Sequence, residues 1–129
     1  MKMKKEIIAT EKAPKAIGPY SQGVKIGNLV FASGQLPIVP GKEGFPEGIE
    51  AQTEQSLKNA AAVLEAAGTG LENAVKVTVF LADINDFAKM NMVYANFFVS
   101  DPPARSAVEV ANLPKNAMVE IEVIAAVLK

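Results

Sequence analysis

The stretch Ala74-Val75-Lys76-Val77-Thr78-Val79-Phe80-Leu81-Ala82 decides the fold. In an extended chain Val75, Val77, Val79 and Leu81 share one side, and Lys76, Thr78 and Phe80 share the other. This is a strand with one wholly apolar face and one mixed face, so something must cover its apolar side. Candidate covers lie on either side of it in sequence. From Ile49 to Ala67 the period changes to that of a helix, with Leu57, Ala60, Ala61, Leu64 and Ala67 recurring at three- and four-residue steps. Gly68 stands where such a helix would end. A second helix is predicted from Asn85 to Phe98, with Phe87, Met90, Tyr94, Phe97 and Phe98 along its apolar stripe.

Two more strands follow. In Arg105–Ala111, Ser106, Val108 and Val110 oppose Arg105, Ala107, Glu109 and Ala111. In the stretch from Met118 to Leu128, Val119, Ile121, Val123, Ala125 and Val127 oppose Glu120, Glu122, Ile124 and Ala126. Reading each apolar set as core leaves Lys76, Phe80, Arg105, Ala107, Glu120 and Ile124 on the opposite sheet face. That face is too apolar for plain solvated surface and too charged for a core, which suits a subunit interface lined with pockets. Earlier in the chain, Lys5–Ala9 alternates weakly, and Gly23–Ile26 with Leu29–Ser33 reads as a hairpin around Gly27-Asn28. Three Pro and three Gly between Pro37 and Gly48 mark a loop. The expectation is a single α+β domain over residues 1–129, with a mixed sheet and two helices on one face.

Composition narrows the chemistry. The net charge of −1 offers no electrostatic footprint for a phosphate backbone. The basic run Lys2, Lys4, Lys5 is followed by Glu6 and Glu11 and reads as a solvated terminus. Ile7-Ile8-Ala9 is too short for a secretion signal and no apolar run is long enough to span a bilayer, so a soluble, cytoplasmic protein is expected, bound to neither nucleic acid nor membrane. The sequence has no cysteine and no histidine, which removes thiolate chemistry, the commonest general base and the commonest zinc ligands. Phosphate-binding and dinucleotide-binding glycine loops and the Gly-x-Ser-x-Gly elbow are missing as well. Asp83 and Asp86 read as helix caps rather than metal ligands. Neither a metal nor a cofactor is expected.

What remains is carboxylates, tyrosines, Arg, Lys, amides and water. Arg105 follows Pro102-Pro103-Ala104 where a stiff loop enters a strand. Its planar guanidinium matches both oxygens of a carboxylate, although a surface arginine or an intrachain ion pair reads the same way. Asn91 falls inside the apolar stripe of the second helix, where its amide must find partners, either a nearby backbone or a ligand. Glu120 and Glu122 share a strand face, as a solvated face or a pocket-lining acid–base group would. Tyr20, in Ile17-Gly18-Pro19-Tyr20-Ser21-Gln22, is either a packing anchor or a hydroxyl donor. Gly34, in Ser33-Gly34-Gln35, either lets backbone approach a ligand or starts the next loop.

Ordered blocks then make the chain recognisable. They are Ala13-Pro14-Lys15-Ala16-Ile17-Gly18-Pro19-Tyr20, Ala32-Ser33-Gly34-Gln35-Leu36-Pro37, Asn85-Asp86-Phe87 leading to Asn91 and Tyr94, Pro103-Ala104-Arg105-Ser106, Val108-Glu109-Val110-Ala111, Leu113-Pro114-Lys115 and Val119-Glu120-Ile121-Glu122. Along nearly its whole length the chain resembles the RidA (YjgF) family of reactive-intermediate imine deaminases. The resemblance implies a chorismate-mutase-like α+β fold and a homotrimer with sites in clefts between subunits. It implies that Arg105 binds the carboxylate of 2-iminobutanoate or 2-iminopropanoate, that Tyr20, Asn91 and Glu120 line the same cleft, and that backbone at Gly34 and Ala107 faces the ligand. Glu120 and Tyr20 would handle protons and water. Position 107 is often cysteine in the family, and Val99 to Pro102 is shorter than in some relatives. Rival readings are a metabolite-binding regulatory module without turnover, an RNA-cleaving translation inhibitor, and a holdase chaperone.

Overall fold

A computed structural model describes residues 3–128, so Lys2 of the basic run lies outside the described residues. Among the described residues six strands run in the order β1 (Glu6–Ile8), β2 (Gly23–Ile26), β3 (Leu29–Gln35), β4 (Ala74–Leu81), β5 (Ala104–Glu109) and β6 (Val119–Ala126). Helix α1 (Ile49–Ala66) precedes β4, and α2 (Phe87–Phe97) links β4 to β5. One mixed sheet forms in the order β1-β2-β3-β6-β4-β5. Only β4 and β5 pair in parallel, as a helical crossover requires. The other neighbouring pairs are antiparallel.

The apolar periodicities become the core. Val77, Val79 and Leu81 of β4 are fully buried, as are Val119, Ile121 and Ala125 of β6. Leu57, Ala60, Val63 and Leu64 of α1 pack onto them. Alanine at position 60 lets the helix axis approach the sheet closely. Gly68 ends α1 as expected, at φ 91°. Its N–H donates to Glu65 O, and Thr69 N–H donates to Leu64 O, both at 3.0 Å, which satisfies carbonyls that the helix end would orphan. The hairpin turns at Gly27, whose φ of 57° a side chain would resist. The second helix is preceded by a 3-10 turn at Ile84–Asp86, capped by Asp83, whose carboxylate accepts from Asn85 N–H. Asp86 heads α2 without a side-chain cap, so only Asp83 performs the capping expected of both.

Three expectations need correction. Val75 is not in the core but 47 % exposed. Ala74 pairs with Ala125 while Lys76 pairs with Ile124, so Val75 is the extra residue of a bulge and leaves the alternation. The strand expected over Arg105–Ala111 stops at Glu109. Its two faces are also the reverse of those expected. Arg105 lies beside Val77, Ala107 beside Val79 and Glu109 beside Leu81. Residues side by side in a sheet share a face, so Arg105 and Ala107 lie on the helix-covered side, and Ser106 and Val108 on the open side. Lys76, Phe80, Glu120 and Ile124 remain on the open face, joined there by exposed Ile7, Phe31 and Val108.

Candidate active site

Edge strand β5 turns Arg105 toward α2. Along one side of that helix stand Phe87, Asn91 and Tyr94, spaced by four and three residues. Arg105 Nη1 donates to Asn91 Oδ1 at 2.6 Å. The guanidinium carbon is 4.6 Å from the Tyr94 ring centroid and 5.4 Å from that of Phe87, within range of cation–π attraction. Asn91, left open in sequence between a backbone clamp and a ligand contact, is an acceptor for Arg105. Among the described residues no carboxylate comes within ion-pair distance of Arg105; the ion pair present joins Lys58 to Glu54. Arg105 is half-buried, charged, and held only by neutral groups.

Glu120 belongs to a second group of residues. It sits on β6 beside Phe80, on the open face. A Cβ at Gly34 would collide with the Glu120 carboxylate and lie 2.9 Å from its Cδ, so glycine here makes room for the acid. Strand β3 bulges at this point, where Ala32 pairs with Val123 and Gln35 with Ile121. Bulges of this kind re-aim backbone beside sites. Burial, and secondarily the charge of Glu122, pushes the Glu120 carboxyl above the usual glutamate range.

Tyr20 is 52 % exposed, which excludes a role as packing anchor within the chain. Its hydroxyl accepts from Ile17 N–H at 3.4 Å. The loop carrying it is tied down by two residues that sequence reasoning did not single out as site-forming. Gln22 is 5 % exposed. Its amide donates to the carbonyls of Thr10, Ala13 and Pro14 and accepts from Thr10 N–H. Ser33 Oγ donates to Ser21 O at 2.6 Å, which links the Tyr20 loop to the strand residue before Gly34. Tyr20 and Gly34 line one cavity of about 300 Å³ that also includes Lys15, Gln35 and Lys115. A buried glutamine among loop carbonyls is the one signal that could have revealed this clamp.

The residues therefore form two half-sites: Arg105 with Asn91 and Ala107, and Glu120 with Gly34 and Tyr20. Arg105 is level with Val77 and Glu120 with Phe80, three residues along and across β4. Two strand spacings and three residues of rise separate the two by about 14 Å, on opposite faces. Within one chain they do not meet.

Gly34→Ala tests the second group directly. The carboxylate, as the flexible partner, must move, so the fold should persist while Glu120 is displaced. An offset of about 1 Å is worth roughly 100-fold in turnover. Steady-state rates alongside thermal melting would check this, and unchanged turnover would remove the Gly34–Glu120 contact from the mechanism.

Fold and half-sites together define a class: a small α+β domain that presents, among the described residues, an arginine without an acidic partner on an edge strand and a half-buried glutamate on an open sheet face. Comparison with known proteins makes the class specific. The family model described as Endoribonuclease L-PSP matches residues 10–127. A RutC family protein of Pyrococcus horikoshii is 57 % identical, over 94 % of this chain and 97 % of its own. The 2-iminobutanoate/2-iminopropanoate deaminase of Escherichia coli K12 is 52 % identical, over 92 % of this chain and 94 % of its own. Among solved structures, the YjgF gene product of E. coli superposes with a TM-score of 0.91 at 51 % identity, covering 94 % of this chain and 98 % of that one. E. coli TdcF with bound serine superposes with a TM-score of 0.90 at 46 % identity and the same coverage. This chain belongs to the RidA (YjgF) family.

Proposed function

We propose that this protein hydrolyses small 2-imino acids, such as 2-iminobutanoate and 2-iminopropanoate, to 2-oxo acids and ammonia in the cytoplasm, without metal or cofactor. One observation carries the reading: a half-buried guanidinium with no anionic partner among the described residues, held by an amide oxygen and two rings. A buried charge without a counterion is costly unless a ligand supplies one. A small carboxylate meets that need with two parallel N–H···O bonds. The bound serine of E. coli TdcF and the substrates named for the E. coli K12 deaminase agree with a ligand of this kind.

The chemistry then asks little of the protein. Water adds to the C=N carbon, the nitrogen takes up a proton, and the carbinolamine collapses to the 2-oxo acid as ammonia departs. Arg105 fixes the carboxylate end. Glu120 takes the proton from the attacking water and returns it to the leaving nitrogen, a double duty suited to a carboxyl with a raised pKa. The Tyr20 hydroxyl orients water or imine, and backbone at Gly34 and Ala107 faces the ligand.

Because the half-sites lie on opposite faces and about 14 Å apart, a complete cleft takes Arg105 from one copy and Glu120 from the next. A closed homotrimer satisfies this and covers the apolar open faces. The test uses 2-iminobutanoate generated in place by an amino-acid oxidase, with ammonia as the readout. Rates no higher than spontaneous hydrolysis would overturn the reading in favour of a binding module without turnover. RNA degradation by the purified protein would favour the RNA-cleaving alternative.

Subunit mixing tests the shared cleft. Arg105→Ala and Glu120→Gln proteins, each expected to be strongly impaired alone, should recover activity when unfolded together and refolded. In a one-to-one mixture about a quarter of the interfaces join two unmutated half-sites. If mixed oligomers form without recovery, each site belongs to one chain.

A further inference from the structure

The function proposed above uses Arg105 and gives no role to the two rings that stand beside its guanidinium. Free arginine explores many rotamers, and ordering it costs about 2 kcal/mol, so a site that must present one edge of the guanidinium gains from holding it beforehand. We infer that Tyr94 and Phe87 are positioning residues for Arg105: their ring faces, together with the Asn91 amide oxygen, hold the guanidinium in one orientation and leave its remaining N–H groups for a carboxylate. The inference rests on that functional reading only for the identity of the ligand.

Five observations converge on it. Both rings stand within cation–π distance of the guanidinium carbon, and Asn91 takes one of its N–H groups. Tyr94 is itself braced, with its ring 4.5 Å from that of buried Phe98. The Tyr94 hydroxyl is buried and has no hydrogen-bond partner among the described residues, so among them this position uses the ring and not the oxygen. Burial keeps that phenol protonated against the opposing pull of Arg105, so the pair is a cation on a neutral ring rather than an ion pair. Phe87, Asn91 and Tyr94 occupy one helix face at the spacing that brings all three to a single point on β5.

The test reads the guanidinium itself. In nitrogen-15 NMR of the intact protein, Arg105 should show slow rotation about its Nε–Cζ bond and separate Nη signals. Tyr94→Leu should average those signals. It should also weaken 2-oxobutanoate binding and raise KM by about tenfold, with a smaller change in kcat. Tyr94→Phe, which keeps the ring, should restore both. If Tyr94→Leu does not fold, Phe87→Leu at a half-buried position reads the same signals. Unchanged signals and unchanged binding in a folded Leu variant would overturn the inference, as would a Phe variant as impaired as Leu. A restrained guanidinium in a protein without imine hydrolysis would support the positioning role while sinking the function. Hydrolysis with a freely rotating Arg105 would do the reverse.

Discussion

Arg105→Ala should lower kcat/KM for 2-iminobutanoate by about 10²–10⁴-fold and leave the protein folded. The magnitude follows from what is removed. A bidentate carboxylate contact comprises two charge-assisted hydrogen bonds at about 1.5–3 kcal/mol each, and each 1.4 kcal/mol is a decade. The fold should survive because Arg105 lies on the edge strand and bridges no buried acid among the described residues. Among the described residues its side-chain hydrogen bond ends on Asn91, which is half-buried and loses a partner at a cost of about 1 kcal/mol. Arg105→Lys should be almost as damaging, since a single ammonium cannot offer two parallel donors to one carboxylate. Steady-state ammonia release with melting curves for both variants would check this. Full activity in Arg105→Ala would remove the arginine from the chemistry.

Glu120→Gln should lower kcat by about 10²–10⁴-fold, while 2-oxobutanoate binding changes little. The amide keeps the size of the carboxyl and loses its ability to take up and release a proton. Equal losses in turnover and binding would make Glu120 structural. The same variant carries an opposite prediction for stability. Burial, with a smaller contribution from Glu122, raises the folded-state pKa of Glu120 above its unfolded value. Between those two values the folded chain binds more protons than the unfolded one, so stability falls as pH rises through the window. The contribution is fully present below the ordinary glutamate pKa and is lost above the folded one. A neutral amide in place of the carboxyl has no charge to desolvate. The variant should therefore melt at a higher temperature than the parent at neutral pH, with the gap closing in acid. A protein that becomes more stable as it loses turnover is the pattern expected when a site is maintained at the expense of stability.

The buried strands were readable because two covered faces leave little freedom. The alternation in β6 places Val119, Ile121, Val123 and Ala125 in the core, and shifting it by one residue would bury Glu120 and Glu122 instead. Helix α1 was legible from its leucines and alanines, and its end from Gly68. Misreadings fell where that constraint weakens. Val75 sits at the start of β4, where an unforeseen bulge absorbs a residue. On edge strand β5 neither alternate set is strongly apolar, and only the parallel register with β4 decides that Arg105 and Ala107 face the helices.

By itself, then, the order of residues determined the α+β architecture, the chain reversals and the identity of the charged groups available for chemistry. Those depend on local period, turn geometry and side-chain type. The tertiary structure alone decided that Arg105 meets Asn91, Phe87 and Tyr94, that Gly34 makes room for Glu120, and that the two groups stand on opposite sides of one sheet. Such pairings depend on strand register, and one residue of slip turns every side chain to the other face.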